Sequence, residues 1–236
     1  MRFQMTIAYD GTPFLGWQSQ PGGQTVQDTV EAALAKIFKK PIRIHGASRT
    51  DSGVHAWGQV CHFDANWKHS PAKLRLALQA LLPDTVFIRS LATTSDKFHA
   101  RFSAQGKRYI YKIKLTPAHP FEIRNLWEFD YPIDFKALKN VLGSFEGKHD
   151  FTSFAGNVKE QETPVKTVSR VSASKKGAYV TITVMGSGFL YKMVRSMVGT
   201  AMEVARGKLL PGRIRELLKK PQRTHEVVTA PAKGLI

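Results

Sequence analysis

Apolar residues alternate with polar ones from the start of the chain. Phe3, Met5, Ile7 and Tyr9 share one side of an extended segment, which predicts a half-buried strand, and Asp10-Gly11-Thr12-Pro13 turns the chain after it. The period then changes. Val26, Val30, Ala33, Leu34, Ile37 and Phe38 recur at helical spacing behind Thr25-Val26-Gln27-Asp28, which has capping-box spacing, and Pro41 closes the run: a helix of about four turns. Ile42 to His45 and Gln59 to Asp64 read as short strands on either side of a loop. A second helix starts with Ser70 as N-cap and Pro71 behind it, with Leu74, Ala77, Leu78, Leu81 and Leu82 as its apolar stripe. Val86 to Leu91 follows as a strand.

The second half uses the same elements in another order. Lys107 to Leu115 predicts a strand with Tyr109, Tyr111, Ile113 and Leu115 on a core face and Arg108, Ile110, Lys112 and Lys114 on a mostly basic one. Phe135, Leu138 and Leu142 give a helix capped by Asp134. Thr167 to Ala173 and Tyr179 to Met185 pair as a hairpin around Ser174-Lys175-Lys176-Gly177, followed by helices over Gly188 to Arg206 and through Ile214, Leu217 and Leu218. Mixed strands and helices of this kind predict an α/β (α+β) protein of two similar halves sharing one extended sheet. The join falls between about Ala104 and Gly143, and the halves are set at residues 1–103 and 104–236.

Composition narrows the class of partner. Lys and Arg number 35 against 18 acids, a formal charge of +17, and 10% of residues are aromatic. A large positive field with aromatic groups favours nucleic acid over a purely electrostatic membrane contact. The single cysteine, Cys61, excludes intramolecular disulfides and multi-cysteine metal sites; flanked by Val60, His62 and Phe63, it reads as a packing residue of a protein in a reducing, cytoplasmic compartment. The chain begins directly in its first strand, without a signal-type apolar segment. Its longest apolar stretch, Gly186 to Ala205, carries Lys192, Arg195 and Glu203, so it predicts a buried helix and no membrane span.

That helix poses a chemical question. Apolar groups surround Arg195, and a guanidinium beside a core needs an anion. Asp51, in the Gly-containing loop G-A-S-R-T-D-S-G-V-H-A, is one acid that could supply it, and an arginine against it would keep the carboxylate ionised as a nucleophile. Taken alone, Asp51 reads equally well as an Asx-turn residue. Tyr109 reads as a core-face tyrosine or as a ring stacking on a base, with Lys107 and Arg108 on the phosphates. The eight histidines form no metal-binding motif, and no phosphate-cradling glycine motif is present; Gly186-Ser187-Gly188 reads as a simple helix cap. Without such motifs the chemistry falls to side chains.

Seven segments together resemble the tRNA pseudouridine synthase family that modifies the anticodon stem-loop: Y-D-G-T-P-F-L-G-W-Q at 9–18, T-V-Q-D at 25–28, S-R-T-D-S-G-V-H-A at 48–56, F-H-A-R-F-S-A at 98–104, K-R-Y-I-Y at 107–111, H-D-F-T-S-F at 149–154 and F-L-Y-K-M-V-R-S-M-V-G at 189–199. The resemblance runs through nearly the whole chain. It implies two similar halves forming a continuous, mostly antiparallel sheet flanked by helices, with the active cleft between them, and a homodimer in which one tRNA touches both subunits. It implies conversion of uridine to pseudouridine at tRNA positions 38, 39 and 40 by base flipping, with no cofactor and no metal. Asp51 resembles the catalytic aspartate, Arg195 the arginine paired to it, Tyr109 the tyrosine against the uracil, and Arg49 the arginine that helps push the base out of the stack.

Some positions depart from the family pattern. Ser48 stands where Gly is usual and Ser52 where Ala is common, both small; Ser19 and Glu162 stand where basic residues are typical. The chain ends at A-P-A-K-G-L-I where relatives continue into another strand, so a short second sheet is expected. The competing reading is a non-catalytic, basic tRNA-binding or tRNA-folding protein on the same fold. It has no use for an Asp51 and Arg195 partnership, and the sequence carries both residues.

Overall fold

The structure is a computed structural model that describes residues 1–158 and 163–236; Glu162 lies outside the described residues. The chain divides into two compact units, Met1–Ala104 and Gln105–Ile236.

The first unit contains β1 (Arg2–Tyr9), α1 (Val26–Phe38), β2 (His45–Gly46), β3 (Ala56–Asp64), α2 (Pro71–Gln79) and β4 (Val86–Thr94). Its sheet has the order β2-β3-β1-β4, with every neighbour antiparallel. The alternation in β1 decides which face is buried: Phe3, Met5 and Ile7 are fully buried, opposite Phe63, Cys61 and Gln59 on β3. Val26, Val30 and Leu34 of α1 and Leu74 and Leu78 of α2 fill the same core. Each such side chain contributes roughly 1.5–3 kcal/mol of burial free energy. Cys61 is fully buried, and burial pushes its thiol pKa well up, as suits a packing residue. Thr25 caps α1 by accepting from the Asp28 N–H, and Lys39, in the left-handed region, ends it.

Two expectations here are corrected. Ile42 and Ile44 are buried, but the strand they were expected to form reaches only His45–Gly46. The Ile44 N–H donates to the Glu31 carboxylate and its carbonyl accepts from Gln27 Nε2, so helix side chains take the groups a ladder would use. Leu81 is 43% exposed because α2 stops at Gln79 and its helical phase is lost.

His62 adds a pH-sensitive element to this core. It is 3% exposed, its ring lies 5.1 Å from that of His45 and 4.6 Å from that of His99, and its Nδ1 accepts from the Ala100 N–H. Burial, and then the neighbouring His99 and His45, hold its pKa down to about 4. A lowered pKa means the fold binds fewer protons than the unfolded chain. Stability is therefore complete above pH 6.5 and falls toward pH 4, by up to about 1.4 kcal/mol per unit. The urea midpoint is expected to drop between those limits and to drop less in His62→Gln; equal slopes would contradict this.

The second unit contains β5 (Lys107–Lys114), β6 (Trp127–Glu128), α3 (Phe135–Gly143), β7 (Gly147–Asp150), β8 (Val165–Lys176), β9 (Tyr179–Gly186), α4 (Met193–Ala205) and α5 (Gly212–Lys219). Its sheet runs β6-β5-β9-β8-β7 and is antiparallel apart from the β5–β6 pair. Tyr111, Ile113, Val180, Ile182 and Val184 form its buried face, while α3 packs on α4 and β8. On the other face Met185 of β9 stands between Arg108 of β5 and Arg170 of β8, and Thr181 stands between Lys112 and Ser174, two rows that carry cations and hydroxyls.

Among the described residues the strands therefore pair within two sheets, one in each unit, where one shared sheet was expected. The mixed α/β class with flanking helices stands. The hairpin turn is also tighter than expected: β8 runs to Lys176, which pairs with Tyr179 across Gly177 at φ +57°. The helix expected from Gly188 begins only at Met193. Lys192 is left-handed (φ 60°) and the Tyr191 carbonyl accepts from the Gly156 N–H, so Gly186-Ser187-Gly188 is not a helix cap. The two-residue β6 and the Gly147-Lys148-His149-Asp150 strand carry no alternation to read. At the end of the chain, Ile236 and Ile110 exchange backbone hydrogen bonds of 2.8 and 2.9 Å, so A-P-A-K-G-L-I adds a short pairing to β5 on the side that β6 takes up at Ile113 and Lys114.

Candidate active-site residues

Asp51 sits in the loop between β2 and β3, and the backbone holds that loop on several sides. The Ala47 N–H reaches Val60 O (2.8 Å), the Trp17 N–H reaches Thr50 O (3.1 Å) and the Gly53 N–H reaches Phe14 O (3.3 Å). The Tyr9 hydroxyl and the Thr50 hydroxyl bond at 2.8 Å, and Gln59 Nε2 donates to Ser48 O at 2.6 Å. Asp51-Ser52-Gly53-Val54 is a turn closed by the Val54 N–H on the Asp51 carbonyl (3.1 Å), with Gly53 at φ +75° in the position where such turns favour glycine. The main chain itself closes this turn.

The partner of this loop is the segment Y-D-G-T-P-F-L-G-W-Q, and its glycines have a steric reason. A Cβ on Gly11 would lie 2.0 Å from Val54 O, and one on Gly16, itself at φ +94°, would lie 2.5 Å from Thr50 O. Only glycine lets the two loops approach so closely. Gly16→Ala is expected to cost about 2–4 kcal/mol of stability and to lower activity by displacing Thr50 and Asp51. Gly22, at φ +101° with nothing within 4 Å of an added Cβ, is the control. Its alanine variant carries only the backbone strain, and equal losses in both variants would contradict the close-approach argument.

Arg49 is exposed on the same loop, and its Nε donates to Gln18 Oε1 at 3.2 Å. Gln18 Nε2 in turn donates to Gln27 Oε1 (3.0 Å), and Gln27 is 3% exposed in α1. T-V-Q-D thus does more than cap a helix: its glutamine anchors the arginine through a second amide.

In the second unit, Lys107, Arg108 and Tyr109 are consecutive on β5. Strand alternation puts Lys107 and Tyr109 on one face and Arg108 on the other, with Lys112 and Arg170, so Arg108 does not accompany the Tyr109 ring. Tyr109 is half-buried rather than a core residue like Tyr111, and the Phe189 ring meets it edge-on at 5.2 Å. Arg195 is half-buried at the third position of α4. Its Nε donates to Ala230 O at 2.8 Å, and its own carbonyl accepts from the Ala230 N–H at 3.1 Å. A fully buried Tyr111 lies near it: burial raises the phenol pKa, the Arg195 charge pulls the other way, and the hydroxyl donates to Pro231 O.

The tail contacts at Ala230 and Pro231 were not legible in the sequence, because nothing in T-A-P-A-K-G-L-I carries a period or a motif. Among the described residues, no group of three or more His, Cys, Asp or Glu side chains is placed to hold a metal ion, and no helix is long and apolar enough to cross a membrane.

A family model described as tRNA pseudouridine synthase matches residues 5–103 and 142–236. Three relatives, each called tRNA pseudouridine synthase A, are similar over nearly the full chain. The Geobacillus sp. (strain WCH70) protein is 39% identical over 99% of this chain and 95% of its own. That of Brevibacillus brevis is 43% identical over 99% and 96%, and that of Akkermansia muciniphila 44% over 93% and 86%.

Proposed function

Because the chain belongs to the tRNA pseudouridine synthase family, we propose that it isomerises uridine to pseudouridine in tRNA, with Asp51 as the reactive carboxylate. The observation that carries the reading is the Asp51 loop. The acid stands on a turn closed by main-chain atoms, in a frame of main-chain hydrogen bonds that glycines 11 and 16 bring into contact.

The reaction breaks the C1′–N1 bond of uridine, turns the uracil, joins C5 to C1′, removes the C5 proton and leaves a proton on N1. No atom is gained or lost, so no cosubstrate is required. Three first steps are open to an ionised carboxylate: attack on the sugar, attack on the base, or removal of a sugar proton. All three need the charged form. Arg195 is the counter-charge of that carboxylate. Tyr109 holds the detached uracil by stacking, and its hydroxyl serves the late proton step. Its half-buried ring supports this better than a core position would, and it lies in the stretch that the family model does not match.

Before any of this the target base must leave its stack, at a cost of a few kcal/mol. Arg49 takes that part, with Lys107 and Arg108 on phosphates, and a formal charge of +17 attracts the tRNA backbone. The targets are positions 38, 39 and 40 of the anticodon stem-loop, and the working form is a cytoplasmic homodimer. The test is to map pseudouridines in unmodified tRNA transcripts treated with the purified protein. New pseudouridines confined to the anticodon stem-loop are the expected result; modification elsewhere would overturn the site assignment.

A further inference from the structure

We propose that Arg223 is a positioning residue for Arg195, acting through the chain segment that runs from Val227 to Ala230. The inference rests on the reading of Arg195 as the counter-charge of Asp51.

The geometry is a brace with a guanidinium at its centre. Arg223 Nη1 donates to Ala155 O (3.1 Å) and to Ser196 Oγ (3.1 Å), and its Nη2 donates to Thr229 Oγ1 (2.9 Å) and Val227 O (3.3 Å). One side chain thus joins the turn after Phe154, the start of α4 and the tail. Two of its partners, Ser196 and Thr229, are immediate neighbours of Arg195 and Ala230, and their hydroxyls lie 3.2 Å apart. The tail then delivers Ala230, which bonds Arg195 at both ends: carbonyl to Nε at 2.8 Å and N–H to the Arg195 carbonyl at 3.1 Å. The approach of tail to helix is close, since a Cβ on Gly199 would lie 2.2 Å from Val228 O.

All four described partners of Arg223 are neutral, and burial pushes its pKa down from the usual arginine value. Its charge carries a desolvation cost that the four hydrogen bonds offset, so the shape of the side chain decides why arginine stands here. What only arginine provides is a planar fork of donors able to reach three segments at once; lysine donates from a single point and cannot span them. The fork sets where the tail lies, the tail carbonyl sets the Arg195 Nε, and the guanidinium plane of Arg195 follows.

The experiment measures single-turnover pseudouridine formation and tRNA affinity for Arg223→Gln, Arg223→Lys and Thr229→Val, each alone and combined with Arg195→Gln, with Asp51→Asn as reference. Thr229→Val removes one acceptor and keeps the shape, so it reads the brace even where an Arg223 variant folds poorly. Arg223→Gln is expected to lower the rate roughly 10–100-fold and Thr229→Val roughly 3–10-fold, with tRNA affinity within about twofold and no rescue by lysine. In the Arg195→Gln background each should add less than about threefold, because the residue being positioned is gone. Losses of equal size in both backgrounds, losses confined to tRNA affinity, or full rescue by lysine, with Asp51→Asn inactive, would overturn this inference alone. Full activity in Asp51→Asn or Arg195→Gln would overturn the reading of the site and this inference with it.

Discussion

Asp51→Asn is expected to eliminate pseudouridine formation, by roughly 10⁴-fold or more, while tRNA binding stays within a few-fold of the parent protein. Each possible first step requires an anion or a base at this position, and an amide is neither. The fold should tolerate the change, since the Asp51 turn is closed by main-chain atoms and the loop is held by Thr50, Ser48, Gly53 and Ala47 through backbone groups. Binding should survive because affinity for a polyanion is distributed over many cations, and removing one negative charge does not reduce it. A variant that still converts uridine, or that fails to bind tRNA while remaining folded, would contradict the assignment.

Arg195→Gln should produce the second largest loss, roughly 10²–10³-fold, on the proposal that its guanidinium is the counter-charge of the Asp51 carboxylate. Arg195→Lys keeps the charge and loses the planar fork, so it should retain more activity than Arg195→Gln, with tRNA affinity within a few-fold of the parent protein in both. A loss of equal size in the two variants, or a loss confined to tRNA affinity, would mean that Arg195 does not act as that counter-charge.

Much of this was legible in residue patterns, and the exceptions have physical causes. β1 and α1 were readable because each buries one clean face: Phe3, Met5 and Ile7 at period two, and Val26, Val30, Ala33 and Leu34 at helical period, with Thr25 as cap. The start of α4 was not. An apolar run continues through Phe189 and Leu190, but the left-handed Lys192 and the Gly156 hydrogen bond to Tyr191 delay the helix until Met193, and neither depends on hydrophobic period. Ile42 and Ile44 had the composition of a strand, and side chains of α1 claimed the backbone instead.

The site divides in the same way. Asp51 and Arg195 stood out chemically, one as a lone acid in a glycine-containing loop and the other as a cation among apolar residues. What holds them did not. Gly11 and Gly16 matter because of atoms 43 and 34 positions away, and the Arg195 contacts described above come from the backbone of Ala230. Backbone carbonyls leave no trace in a sequence, so positioning groups of this kind emerge only from the fold. Tyr109 and Tyr111 make the same point: two tyrosines on one strand face, of which one is fully buried and the other only partly.

Joining C5 of uracil to C1′ requires that the proton on C5 leave, which makes its loss the most direct report on the chemistry. A tRNA transcript carrying tritium at C5 of its uridines, incubated with the purified protein, should release tritium to water in an amount matching the pseudouridine formed, with no added cofactor, and Asp51→Asn should release none. No release by the parent protein, or equal release by the Asp51→Asn variant, would contradict the account.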